Sequence, residues 1–260
     1  TVMVTSLLNA YGKCGAVHTA RALFDTMISK NIISWNAMIA LYVQDDHGKE
    51  SIQLFNDLQC QSIMPNKVTF IEIFSACCTL QKGKLLHTHF IHSGFVIDDV
   101  VASSIISMYG KCGSAMDAQE VFRQLHNHTT NSWNALIASY VQVGDKECVF
   151  GILERMKDDG RNPDSVTLIS ILNACSQGGL VEKGKIYYDS MCKDYKMDPS
   201  FQHQGCMIDL FGRAGQLEKA VGMYLEPNLV FSNTLLSACR TWGNLNLGKH
   251  VFTYATHLNQ

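Results

Sequence analysis

The sequence predicts an all-α protein of the α-solenoid class, a stack of helix-turn-helix units. Three observations predict it. Apolar residues recur at helical spacing through 260 residues that contain only four prolines. Independent landmarks return at one offset of 98 residues: Tyr11-Gly12-Lys13-Cys14-Gly15 as Tyr109-Gly110-Lys111-Cys112-Gly113, Ser34-Trp35-Asn36-Ala37 as Ser132-Trp133-Asn134-Ala135, and Ala76-Cys77 as Ala174-Cys175. The stretches 1–98 and 99–200 each divide into three units of one layout, and a unit of that size buries its helices only by stacking on its neighbours.

The units run 1–31, 32–66, 67–98, 99–129, 130–164, 165–200 and 201–228, and 229–260 forms a last helical repeat. A unit opens with an amphipathic segment such as Ile33 to Gln44. A glycine or small polar turn follows. Gly15 and Gly113 stand where the backbone needs positive φ, which glycine adopts without a steric penalty. The second segment carries an alanine and an aromatic four residues apart, Ala20 with Phe24 and Ala118 with Phe122. Pro65 and Pro163 lie between units, where a helix must stop. Trp35, Trp133, Tyr11 and Tyr109 are expected to pack helix against helix. Unit 67–98 is three residues short between Leu80 and Lys82, and unit 201–228 is short near Met223–Leu225, so a kink or weaker packing is expected at both.

Composition narrows the function. The apolar fraction is 47% and the formal net charge is −2. A protein that holds nucleic acid by bulk charge is clearly basic, so any such binding here must use a local groove. Ten cysteines are present without a Cys-x-x-Cys pair. They are expected to be free thiols, most of them packed as small hydrophobes, which suits a reducing compartment. His87-Thr88-His89 lacks cysteine partners at ligand spacing and reads as a surface pair on a second helix. No metal, cofactor or small-molecule substrate is expected, and no apolar run suggests a membrane span. The chain begins Thr1-Val2-Met3 inside a periodic pattern, so it is expected to be a piece of a longer protein.

The units resemble those of plant PLS-class pentatricopeptide repeat proteins. Ile32-Ile33-Ser34-Trp35-Asn36-Ala37-Met38-Ile39 resembles the opening of the standard repeat, and Met108-Tyr109-Gly110-Lys111-Cys112-Gly113 the short repeat. Asn173-Ala174-Cys175-Ser176 through Gly179-Leu180-Val181-Glu182-Lys183-Gly184 is similar to the last long repeat, and Asp209-Leu210-Phe211-Gly212-Arg213-Ala214-Gly215 to the last short one. Leu235-Leu236-Ser237-Ala238-Cys239-Arg240 with Gly243-Asn244-Leu245-Asn246-Leu247-Gly248 resembles the first extension motif, truncated at Gln260. The resemblance implies a right-handed superhelix and sequence-specific binding of single-stranded organellar RNA, in mitochondrion or chloroplast. It further implies a role in specifying sites of cytidine-to-uridine editing.

The same resemblance implies which residues touch RNA. The fifth and last residues of a unit select the base, one base per repeat. Thr5 with Asn31 resembles the adenine combination, Asn36 with Asn66 the one favouring cytosine, and Asn134 with Asp164 the one favouring uridine. Ser103 with Thr129 and Gly205 with Asn228 occupy selector positions without a clear base. Ile71 and Ile169 cannot hydrogen-bond a base, so their units are expected to be spacers. The second residue clamps the base: Val2, Ile33, Val68, Val100 and Val166 fit, whereas Asn131 departs from the pattern. Lys13 and Lys111 are candidates for phosphate contacts. Read without the resemblance, the Asn, Asp and Thr residues are ordinary helix caps.

The editing chemistry needs a zinc deaminase with a His-x-Glu and a Pro-Cys-x-x-Cys motif. Neither arrangement occurs, so this chain is expected not to be an enzyme; if the natural protein ends at Gln260, catalysis must come from a deaminase-bearing or editing-complex protein in trans. The competing class is the tetratricopeptide-type scaffold for protein binding. Its Trp-x2-Leu-Gly-x2-Tyr pattern is missing, and the unequal spacing of 31 and 35 residues argues against it.

Overall fold

The computed structural model describes residues 2–223 and 229–257; the side chains of residues 2–5, 9, 13, 229, 254 and 257 lie outside that description. Helices account for the regular structure of the described residues, with no strand among them. They are α1 (Val2–Lys13), α2 (Val17–Asp25), α3 (Ile32–Gln44), α4 (Gly48–Cys60), α5 (Lys67–Ala76), α6 (Leu80–His92), α7 (Asp99–Lys111) and α8 (Ala115–Arg123). There follow α9 (Thr130–Val143), α10 (Lys146–Asp158), α11 (Ser165–Gly178), α12 (Val181–Lys193), α13 (Phe201–Arg213), α14 (Leu217–Gly222), α15 (Leu229–Thr241) and α16 (Leu245–His257). The chain forms two compact units, Thr1–Ser139 and Tyr140–Gln260, and the division falls within α9.

In the first unit the odd-numbered helices pack side by side, α1 on α3, α3 on α5 and α5 on α7. The even-numbered helices α2, α4 and α6 each touch their own partner and the next odd helix. The second unit repeats the scheme with α11 on α13 and α13 on α15. Burial follows the helical period. In α3 the buried residues are Ser34, Trp35, Met38, Ile39, Leu41 and Tyr42; in α8 they are Ala115, Ala118, Val121 and Phe122. Ala20 and Ala118 are fully buried, because only a small side chain fits where a second helix presses on the first.

Trp35 and Trp133 pack between helices as the sequence suggests. Each is 2% exposed. Trp35 meets Phe24 edge-on with ring centroids 4.9 Å apart, and Trp133 meets Phe122 at 4.6 Å. Such an aromatic pair adds roughly 1 kcal/mol beyond its buried area. Tyr109 is buried too, and its hydroxyl meets His87 Nδ1 at 2.9 Å. Burial holds that phenol up at about 12.

The turn at Gly15 has φ 69° and that at Gly113 has φ 77°, the left-handed region expected of both. Gly110 has a different reason to lack a side chain. A Cβ there would lie 2.8 Å from Ser139 Cα, where α7 meets α9, and Ser139 Oγ also donates to Ile106 O at 3.2 Å across the same contact.

Three expectations change in detail. The shortening in unit 67–98 lies before Leu80–Lys82, which form the first turn of α6. It is α5 that is cut, to 10 residues against 14 in α11, because Cys77 turns extended and ends the helix. The His87–His89 pair is not a surface pair. Both rings are half-buried, His87 against Tyr109 and His89 against Phe55 and Phe70. All ten cysteines are free, but the small-hydrophobe role fits the buried Cys77, Cys175, Cys206 and Cys239, whereas Cys14, Cys60, Cys78, Cys148 and Cys192 are exposed. The shortened unit 201–228 shows a six-residue α14 ending at Gly222; Leu225 lies outside the described residues.

Candidate functional site

The site grows from the way the odd-numbered helices begin. A helix start leaves backbone N–H groups without partners, and a side-chain oxygen just before the helix can accept from them. Asn31 Oδ1 accepts from Ser34 N at 3.0 Å while Ser34 Oγ accepts from Asn31 N at 3.1 Å. The reciprocal pattern recurs with Asn66 and Thr69 at α5, Thr129 and Ser132 at α9, Asp164 and Thr167 at α11, and Ser200 and His203 at α13. The third residue of each of these helices is buried, a row of Ser34, Thr69, Ser132, Thr167 and His203. The helix-cap role is therefore real for Asn31, Asn66, Thr129 and Asp164.

Capping does not exhaust these side chains. Asn36, one turn into α3, donates through Nδ2 to Asn66 Oδ1 at 3.1 Å. The fold thus joins the fifth and last residues of unit 32–66. In unit 99–129 the last residue pairs elsewhere: Thr129 Oγ1 donates to the carboxylate of Asp99 at 2.7 Å. Ser103 Oγ is shut off from solvent with no hydrogen-bond partner. In unit 67–98, Asp98 caps α7 and pairs with Lys67 at 2.8 Å, which holds its carboxyl below the usual range.

Asn134 lies on α9 with 7% exposure, and Asp164 caps α11. Ile71 is half-buried, and Ile169 packs against the core around Leu172, Cys206 and Met207. Gly205 faces the Phe231 ring, which would stand 3.2 Å from a Cβ there, so a side chain at that position would need the ring to shift. The side chains of Val2, Thr5 and Lys13, and the whole of Asn228, lie outside the described residues.

The second position of the helices presents apolar side chains to water. Ile33, Val68, Val100 and Val166 are 61, 51, 61 and 55% exposed. Each exposed β-branched side chain offers a small apolar face that a flat ligand would cover. Val230 continues the series and was missed in the sequence, although the repeat register points to it. Thr69 and Asp99 were missed as well; neither sits at a position that the resemblance marks. Asn131 is exposed at the same register as the valines. Lys111 donates to Ser75 O at 3.2 Å from an exposed position. Among the described residues no group of His, Cys, Asp and Glu could hold a metal ion, and no helix is long and apolar enough to cross a membrane.

With this geometry in view, comparison with known proteins is decisive about kinship. The PPR repeat family model matches residues 30–79 and 128–177, and the PPR repeat model matches 2–32, 100–128, 166–195 and 205–226. The chain belongs to the pentatricopeptide repeat family. Among its pentatricopeptide relatives in Arabidopsis thaliana, the repeat-containing protein At4g33990 is 38% identical over 93% of this chain and 31% of its own length. The protein CRR2, chloroplastic, also from Arabidopsis thaliana, is 35% identical over 96% of this chain and 39% of its own. The chain therefore spans about a third of the length of these curated relatives. Among solved structures, PPR10 from maize, crystallised in complex with an 18-nt psaJ RNA element, superposes with a TM-score of 0.79 at 19% identity, over 99% of this chain and 40% of that one. The fold of this pentatricopeptide repeat chain is accordingly a helical-repeat solenoid.

Proposed function

We propose that this chain binds single-stranded RNA in a sequence-specific way, one base per reading repeat. The observation that carries the proposal is the Asn36–Asn66 hydrogen bond beside the exposed Ile33 and Val68. A pair of polar selectors next to apolar side chains suits a base that is hydrogen-bonded on its edge and covered on its faces. Asn66 Oδ1 is occupied by Thr69 N and Asn36 Nδ2, which leaves its own Nδ2 as the donor that Asn66 can offer to a base. Asn36 keeps a second N–H. Two donors match the adjacent N3 and O2 acceptors of cytosine. Uracil offers an N3–H donor instead, which suits an acceptor-only carboxylate such as that of Asp164, the last residue of unit 130–164. Thr5 with Asn31 would read adenine, and units with Ile71 and Ile169 would act as spacers.

The PPR10 complex supports the ligand class, and CRR2 and a second relative described as chloroplastic support an organellar setting, chloroplast or mitochondrion. The proposed arrangement is seven repeats, 1–31, 32–66, 67–98, 99–129, 130–164, 165–200 and 201–228, followed by an extension motif from 229. The proposed role is to specify a site of RNA processing such as cytidine-to-uridine editing. The 260 residues carry no deaminase signature, so their proposed part is binding, with the editing chemistry left to a deaminase domain outside these residues. Fluorescence anisotropy with unstructured RNA pools, duplex RNA and peptide pools tests the function. Tight binding to unstructured RNA alone is the expected result; equal binding to a duplex of the same composition, or preference for peptide, would refute it.

A further inference from the structure

We infer that Thr69, the third residue of the following repeat, is a positioning residue that sets which face of the Asn36 amide meets the base; this rests on the RNA-binding function proposed above. Thr69 is fully buried, so it cannot touch RNA itself. Its Oγ1 lies 2.7 Å from Asn36 Oδ1, 3.0 Å from Asn66 Oδ1, and 3.1 Å from Asn66 N. The hydroxyl has a single hydrogen. Asn66 Oδ1 already accepts from Thr69 N at 3.0 Å and from Asn36 Nδ2 at 3.1 Å. The hydroxyl hydrogen therefore goes to the shorter contact, Asn36 Oδ1, while Thr69 Oγ1 accepts from Asn66 N.

These bonds close a ring in which each donor meets an acceptor. Rotating the Asn36 amide by half a turn would break it twice. Asn36 Oδ1 would face Asn66 Oδ1, two acceptors at hydrogen-bond distance, and the hydroxyl hydrogen of Thr69 would face an NH2 group. The amide is thus locked with one N–H and one remaining lone pair in fixed places. Removal of the hydroxyl leaves the Asn36 oxygen without its partner and takes away one of the two penalties on the turned amide, so its orientation is held less firmly. A mobile amide can offer a donor or an acceptor to the base, so discrimination between cytosine and uracil should weaken even though neither selector is changed. The repeat that reads a base would then be completed by a residue of the next repeat that the ligand never reaches.

The test compares wild type with Thr69→Val and Thr69→Ser on four RNAs differing only at the base assigned to unit 32–66. Valine keeps the shape and removes the hydroxyl; serine keeps the hydroxyl. For Thr69→Val the cytosine-over-uridine ratio of affinities is expected to fall by roughly three- to tenfold, the worth of one net hydrogen bond. Thr69→Ser is expected to restore the wild-type ratio. A purely structural role would weaken all four RNAs together and lower the melting temperature without changing their ratio, and that result would overturn the inference. If wild type itself distinguishes none of the four, the RNA-reading function fails and the positioning role falls with it. A wild type that discriminates alongside a Thr69→Val with the same cytosine-over-uridine ratio removes the positioning role alone.

Discussion

Asn36 donates to Asn66 across 30 residues of chain, from the first turns of one helix to the cap of the next odd-numbered helix. One side chain thereby serves two ends. Asn66 starts α5 and holds Asn36 in place, so stability and recognition are coupled at this residue.

The coupling separates two substitutions. Asn66→Ala removes the cap and the Asn36 partner, and is expected to cost roughly 1 kcal/mol of stability. Asn66→Asp keeps the capping oxygen and replaces the outward donor by an acceptor. Its melting temperature should stay near wild type while base preference at that position moves from cytosine towards uridine. Thermal denaturation and a four-RNA competition measure the two effects; an Asn66→Asp chain that still prefers cytosine would separate capping from reading.

At the Asn134–Asp164 positions, uridine is the expected base. Asn134→Thr replaces the amide by a hydroxyl on a shorter side chain and should shift preference towards guanine, by roughly 1–3 kcal/mol at that one base. Ile71→Val removes no polar group and should leave every preference unchanged. Identical rankings from wild type and Asn134→Thr, with affinity retained, would reduce Asn134 to a structural residue.

Ser103 makes the opposite case. Its hydroxyl is enclosed without a partner, so Ser103→Ala is expected to leave both stability and base preference within about 0.5 kcal/mol of wild type. Asp99→Ala frees the Thr129 hydroxyl and should weaken the start of α9. Urea denaturation of the two variants decides it; a marked loss in Ser103→Ala would mean that the hydroxyl has a partner in solution.

Glycines in two helices predict opposite signs. Gly110→Ala forces a methyl against Ser139 and is expected to destabilise by roughly 1–3 kcal/mol. Gly151, within α10, has open space around it, so Gly151→Ala should stabilise by roughly 0.5–1 kcal/mol. A Gly110→Ala chain that melts no lower than wild type would contradict the close approach of α7 and α9.

His203 should make the chain sensitive to acid. Its Nδ1 accepts from Ser200 N at 3.1 Å, so the proton sits on Nε2 and is donated to Ser165 O at 3.0 Å. Burial pushes this imidazole below its ordinary value, and His87 likewise. A base with a lowered folded value takes its proton more readily in the unfolded chain. Its contribution is fully present above the ordinary imidazole value and is lost as pH falls from there towards the folded value. Unfolding free energy should therefore decline as pH falls through the ordinary imidazole value of about 6.5, and His203→Ser, which places there the hydroxyl found at Ser34 and Ser132, should reduce that slope. An unchanged slope would assign the acid sensitivity elsewhere.

The sequence by itself determined the helical-repeat class, because hydrophobic period and the 98-residue offset are local and additive along the chain. It also marked Trp35 and Trp133 as packing residues and Gly15 and Gly113 as turns, since bulk and backbone freedom are properties of single residues. The register of the repeats pointed to the exposed apolar row of Ile33, Val68, Val100 and Val166. Only the tertiary structure decided which polar groups meet. Asn36 and Asp99 stand at different positions of their units, yet each pairs with the residue that starts the next odd-numbered helix. That choice depends on side-chain reach across two packed helices and on hydrogen-bond supply, which no spacing encodes. The burial of His87 and the enclosure of the Ser103 hydroxyl have the same origin. A side chain at a helix surface becomes buried or exposed according to the neighbour that packs over it, and for His87 that neighbour is Tyr109, on the next helix of the chain.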